Sequence, residues 1–233
     1  MKYNSAIYLI SGYPVFNKDT VPGFLSFTHE DTITLYSNLF LNNKENIDKA
    51  SAECDKIYCF DETDKNFTSD IINPEEKTFY YNNTGNLFQL LKKMSEKFFN
   101  NYTNNLIIFA NSICISPADI DKAFNLLNIE DEAIVAGKGY NNSISFIGFN
   151  RFNSALFEEI DFDNFTYDSF LSTICKHNNF VHVLEKYLVI SSLEEFRQMY
   201  IELSKKESIA YCSNTINENF THLFIEYKEL LKQ

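Results

Sequence analysis

The sequence has no tryptophan, and among its 233 residues are only six glycines, four prolines and two arginines. So few glycines leave little material for a backbone cradle around a pyrophosphate. No Gly-x-Gly-x-x-Gly, Walker loop, His-Glu-x-x-His or Gly-x-Ser-x-Gly occurs. No stretch approaches the roughly eighteen uninterrupted apolar residues of a membrane span. The N-terminal apolar run Ala6-Ile7-Tyr8-Leu9-Ile10 stops at Ser11-Gly12-Tyr13-Pro14, shorter than the core of a signal peptide. Cys54, Cys59, Cys114, Cys175 and Cys212 are odd in number and lack Cys-x-x-Cys spacing, which predicts reduced structural thiols and a cytoplasmic location rather than a disulfide framework or a zinc site. Positive charge is also scarce: 20 basic residues face 32 acidic ones, the net charge is −12, and the lysines form no basic run. Nucleic acid and anionic membrane are thereby excluded as non-specific partners.

What is present is ordinary globular material, 45% hydrophobic and 22% charged, with no repeat, linker or second composition regime. This predicts one domain over residues 1–233, able to bury roughly 70% of its unfolded surface without disulfide or metal. The abundance of Asn, Lys, Ile, Phe and Tyr is the bias of an AT-rich genome, so no single Asn carries functional weight unless its position is special. Asn-x-Ser/Thr matches such as Asn66-Phe67-Thr68 and Asn164-Phe165-Thr166 are expected by chance.

Ala6–Ile10 reads as a short buried strand followed by a long loop. Thr28-His29-Glu30-Asp31 then opens a helix carrying Ile33, Leu35, Leu39 and Phe40. Lys56–Phe60 is a second strand ending at Asp61-Glu62, and a polar stretch with Asn73-Pro74 precedes a strand at Thr78–Tyr81. A helix is expected over Asn86–Asn100. Leu106–Ala110 has the continuous apolar pattern of a strand covered on both faces. Ser116-Pro117, with Asp119 in the first turn, opens the next helix. Strands at Ala133–Ala136 and Ser143–Phe149 flank the turn-rich Gly137–Asn142, too close together for a helical crossover, so the sheet is mixed. Helices near Ser154–Ile160 and Tyr167–His177, a strand at Val181–Leu184 and a helix from Leu193 to Lys206 follow. Ile209–Cys212 and Asn217–Leu231 read as an added strand and a terminal helix. Alternating elements predict a three-layer α/β sandwich with a mostly parallel mixed sheet, whose site lies at the carboxyl ends of the strands. Phe98-Phe99 and Tyr80-Tyr81 are expected to pack in the core or on the sheet rather than at an interface.

Two chemical patterns carry little. His29, His177, His182 and His222 are far apart and read as structural. Asp161-Phe162-Asp163 could place two carboxylates near a divalent cation, but it follows a helix rather than ending an apolar strand, and reads as a solvated loop.

Tyr8-Leu9-Ile10-Ser11-Gly12-Tyr13-Pro14-Val15-x-x-Lys18, the apolar strand ending at Asn111, and Ser116-Pro117 with Ala123-Phe124 resemble a glycosyltransferase-A-like family of poorly characterised bacterial transferases, often associated with radical-SAM proteins, with the nucleotide-diphospho-sugar transferase fold. Ala133–Gly137, Ser145–Phe149, Leu156–Phe162 and Leu193-Glu194-Glu195-Phe196 fit the same family in order. The resemblance spans about residues 5 to 200 and leaves 207–233 as a C-terminal extension. It implies a nucleotide or nucleotide sugar as ligand, with Ser11, Gly12, Lys18, Asn111, Asn141 and Asn142 as the candidate donor-binding residues. A protein partner is the further expectation for a member that acts by binding.

The departures from the family pattern are concentrated where its chemistry lies. After the first strand the family has Lys-Thr-Arg-Leu, suited to gripping phosphates; here Lys18 is followed by Asp19-Thr20-Val21-Pro22. Acidic positions of the family align with Asn111-Ser112-Ile113, Asn141-Asn142-Ser143-Ile144 and Val189-Ile190-Ser191. Mg²⁺ or Mn²⁺ would neutralise a departing diphosphate, and hard cations are held by carboxylate oxygens, so three neutral replacements predict no metal and leave the catalytic residues unknown. Asp61, Glu62 or Asp131 at neighbouring strand ends are the candidates to compensate. The expectation is a degenerate, non-catalytic member that acts by binding; the alternative is an active glycosyl- or nucleotidyltransferase with an atypical site, needing Mg or Mn only in that case. Strand order separates this fold from another α/β domain: the 143–149 strand must lie beside the central one.

Overall fold

A computed structural model describes residues 3–68, 78–83, 87–162, 165–177 and 179–232. Asn73-Pro74, Asn86, Asp163 and Asn164, named above, fall outside the described residues. The strands are β1 (Ser5–Ile10), β2 (Asp55–Asp61), β3 (Thr78–Asn82), β4 (Asn104–Phe109), β5 (Ser112–Ile113), β6 (Ala133–Gly139), β7 (Ile144–Asn150) and β8 (Phe180–Val189). Between and after them run the helices α1 (His29–Lys49), α2 (Leu87–Lys97), α3 (Pro117–Leu127), α4 (Ser154–Glu159), α5 (Tyr167–Lys176), α6 (Leu193–Leu203), α7 (Asn214–Glu226) and α8 (Lys228–Leu231). The sheet order is β3-β2-β1-β4-β7-β6-β8-β5. Strands β1, β2, β3 and β4 are mutually parallel, as are β6 and β8; β7 runs against β4 and β6, and β5 runs against β8. The 143–149 segment thus lies beside the central strand, the order the transferase fold requires.

Period-two alternation divides the core. Ile7 and Leu9 of β1, Leu106 and Ile108 of β4 and Val135 of β6 pack under α1, α3, α6 and α7. Tyr8, Ile10, Ile107, Phe109, Ile134 and Ala136 point the other way, under α2, α4 and α5. Both faces are covered, which is why β4 reads as an unbroken apolar run. Phe98 and Phe99 are buried in the second face, with Phe99 edge-on to Tyr8 at 5.2 Å. The local signals hold: the Thr28 side chain accepts from the Asp31 N–H, and Ser116 with Asp119 forms a full capping box.

Four expectations are corrected. Ile209–Cys212 is not a strand: Lys206–Ala210 is a 3₁₀ turn, the Tyr211 and Cys212 N–H groups both donate to the Ser208 carbonyl, and Ile209 is exposed. A four-residue apolar run does not distinguish strand from turn, and here the backbone closes its hydrogen bonds locally instead of on a neighbouring strand. Gly137-Lys138-Gly139, expected in the turn, belongs to β6, and β8 extends well beyond Val181–Leu184. Lys138 pairs with Glu185 and Gly139 with Tyr187, so Lys186, at φ 85°, is the extra residue of a bulge. The terminal helix begins at Asn214 and breaks at Tyr227.

Candidate functional site

The carboxyl ends of β1, β4, β6 and β8 meet at one edge of the sheet. The chain leaving β1 turns at Ser11, whose N–H donates to the Cys59 carbonyl at 3.0 Å and whose hydroxyl is hydrogen-bonded to the Tyr13 carbonyl. Gly12 is exposed and has open space above it, with no positive φ. Beyond it the loop is fastened by Asp64. This carboxylate is fully buried and accepts the backbone N–H groups of Val15 (2.9 Å), Phe16 (2.9 Å) and Asn17 (2.8 Å). Burial pushes the Asp64 carboxyl above its ordinary range, against the pull of those three donors. Lys18 is exposed beside Asp19, His29 and Glu30 at a shallow hollow of about 340 Å³.

At the end of β4 the chain turns through Ala110 and Asn111 before crossing to β5. Asn43 of α1 fixes that turn, its Nδ2 donating to the carbonyls of Ala110 (3.2 Å), Ser112 (2.7 Å) and Leu39 (3.0 Å). Asn111 is tied to the end of β8: its carbonyl accepts from the Ile190 N–H at 2.9 Å and its Nδ2 donates to the Ile190 carbonyl at 3.4 Å.

Between β6 and β7, Asn141 and Asn142 both adopt left-handed backbone (φ 54° and 63°), a conformation Asn tolerates better than most residues. Their side chains reach different layers, one to α6 and the other to α5. Asn141 Nδ2 donates to Glu195 Oε1 at 2.7 Å, at the start of α6. Asn142 Oδ1 accepts the Asp168 N–H at 3.1 Å, in the first turn of α5. Glu195 also accepts from Ser191 Oγ at 3.3 Å. Burial works to raise its pKa, but hydrogen bonds from Ser192, Asn141, its own N–H and Ser191 outweigh that and hold it below the ordinary carboxylate range.

The three aligned neutral positions therefore come together, as a chain running Asn111, Ile190-Ser191, Glu195, Asn141. Ser11 and Gly12 join the same edge, since Ile10 pairs with Phe109. Lys18 and Asn142 stand apart, one exposed on the loop and the other turned to α5. Glu195 and Asp64 are site residues that sequence reasoning missed. The signal for Glu195 was there, in Ser192-x-x-Glu195 at a helix start; Asp64 had none, because the groups it holds lie nearly fifty residues earlier. Of the compensating acids, Asp61 is engaged by the Thr63 N–H and hydroxyl. Asp131 is misplaced: it precedes β6, at the opposite edge, where it faces Arg151 at 3.6 Å.

These residues do not fit Mg²⁺ or Mn²⁺. The cluster holds one carboxylate, both of whose oxygens already receive donors, and no group of three or more His, Cys, Asp or Glu able to hold a metal ion occurs among the described residues. Two larger cavities, of about 680 Å³ between α6 and α7–α8 and about 520 Å³ between α2 and α4, are lined by none of the sequence-predicted site residues. No helix among the described residues is long and apolar enough to cross a membrane.

A mixed sheet of this order, with its polar cluster at the carboxyl edge, is the nucleotide-diphospho-sugar transferase-like fold. Solved structures agree: a protein assigned as a nucleotide-diphospho-sugar transferase from Desulfovibrio desulfuricans G20 superposes with a TM-score of 0.73 at 16% identity, covering 99% of this chain and 98% of that one. The 4-diphosphocytidyl-2C-methyl-D-erythritol synthase of Anaerococcus prevotii is similar at a TM-score of 0.56 and 12% identity over 86% of this chain and 99% of its own. No protein-family model matches the sequence, and no curated protein matches it.

Proposed function

We propose that the protein is a non-catalytic member of the nucleotide-diphospho-sugar transferase fold that acts by binding a nucleotide or nucleotide sugar without a metal. The observation that carries this reading is the closed state of Glu195. The lone carboxylate of the cluster is fully engaged by Asn141 and Ser191, and Asn111 brings no charge, so the cluster itself supplies neither a free metal ligand nor a cation to neutralise a leaving diphosphate. Lys18 remains for the ligand, exposed and without an ion pair among the described residues. The same free cation is what favours the alternative, a metal-independent transferase.

Thermal unfolding against a panel of nucleotides and nucleotide sugars, with and without Mn²⁺, tests this. A ligand at 100 times its Kd adds about 2.7 kcal/mol, or about 5–11 °C for a chain of this size, and the rise is expected to be independent of Mn²⁺. A rise that needs Mn²⁺ overturns the reading, as does turnover of a nucleotide sugar; a panel without any shift removes the ligand class. Lys18→Ala and Asn111→Ala locate the ligand, and binding unchanged in both would place it elsewhere.

A further inference from the structure

Three successive peptide N–H groups pointing at one anion form a nest, the arrangement by which backbone alone binds phosphate and carboxylate. We propose that Val15, Phe16 and Asn17 form such an oxyanion cradle and that Asp64 is its internal ligand, holding the loop shut against external phosphates and carboxylates. Asp64 is fully buried and makes no ion pair among the described residues, so its charge is balanced by peptide dipoles rather than by a cation. A buried carboxylate without a counter-cation is costly unless such donors converge on it.

The cradle is also held from outside the carboxylate. Val15 is buried, and Phe16 packs edge-on to Phe40 at 5.6 Å and beside Phe60 at 6.0 Å. Asn17 Nδ2 donates to the Thr63 carbonyl at 3.1 Å, and the hydroxyls of Thr20 and Thr63 meet at 3.0 Å. Removing the Asp64 side chain therefore leaves the three N–H groups in place, unpartnered and facing an anion-sized vacancy. The claim concerns the loop alone and does not depend on which nucleotide, if any, the neighbouring edge binds.

The test is anion rescue. Asp64→Ala and Asp64→Ser are unfolded thermally in sodium acetate, sodium phosphate and sodium chloride at equal ionic strength, beside the wild type. Acetate or phosphate is expected to raise the variants' Tm saturably, by about 3–6 °C over the wild type's response at ten times its Kd, with no such excess in chloride. Equal responses in variant and wild type overturn the proposal and leave Asp64 as a structural acceptor only. Variants that remain unfolded at every acetate and phosphate concentration overturn it too, since the anion should restore what the carboxylate supplied. Because no nucleotide is present, this failure is distinguishable from failure of the binding function.

Discussion

Replacing Asn43 tests how the site edge is held. Its side chain is buried, and one Nδ2 bridges α1 to two carbonyls of the turn after β4, those of Ala110 and Ser112, both in buried residues. Asn43→Ala strands these two acceptors away from water, at about 1–3 kcal/mol each, so a loss of about 2–6 kcal/mol is expected. Asn43→Asp should cost at least as much despite its equal size, because it sets a carboxylate against three carbonyls. Urea titration followed by far-UV circular dichroism reads this directly: the midpoint should fall with m unchanged. In thermal unfolding the alanine variant should drop by about 4–24 °C. An Asn43→Ala protein within about 0.5 kcal/mol of wild type would refute the reasoning, since two buried acceptors cannot be abandoned at that cost.

Gly137 faces Phe146 across the β6–β7 ladder, and a Cβ there would run into the ring. Gly137→Ala should destabilise by about 1–3 kcal/mol, and pairing it with Phe146→Leu should recover part of that loss; a fully additive double variant in calorimetry would contradict the clash. For Glu195, the folded pKa lies below the unfolded value, so its contribution to stability is complete above the unfolded pKa and is lost as pH falls through the folded one. The stability gap between wild type and Glu195→Gln should be widest above about pH 5.5 and narrow below about pH 4; a gap that widens on acidification reverses the sign and rejects the assignment.

The parts of this fold legible in the sequence were those specified locally. The Leu106–Ala110 run, the Ser116-Pro117 cap and the Thr28 cap each state their own structure within a few residues, and all three stand. The two-residue β5 and the bulged far half of β8 were not legible, because both are set by distant partners: β5 pairs Ser112 with Val189 and Ile113 with Leu188, and β8 runs on along the end of β6, Glu185 beside Lys138 and Tyr187 beside Gly139. Asn residues were discounted as codon supply, yet Asn43 and Asn105 are buried and bind backbone far from any sequence cue, Asn105 joining the Tyr8 hydroxyl to the carbonyls of Phe99 and Tyr102. The gathering of Asn111, Asn141 and Ser191 at one edge was anticipated through the family pattern. The engagement of Asn141 and Ser191 by Glu195 was not, because a carboxylate at a helix start reads first as a cap.

The position of β4 between β1 and β7 also sets a timetable. Its first neighbour is made before it, but the second is complete only at Asn150, about forty residues after Phe109. At ribosomal rates of about 5–20 residues per second, this buried central strand carries an open hydrogen-bonding edge for about 2–8 s of every synthesis. Because β7 runs antiparallel to β4, its Asn150 end pairs with the start of β4, so that edge closes fully only once the last residues of β7 emerge. Nascent chains halted between α3 and β7 thus present the open edge of Leu106-Ile107-Ile108 to one another, while α1 and the capped α3 on one face and α2 on the other are already made and positioned to cover that strand.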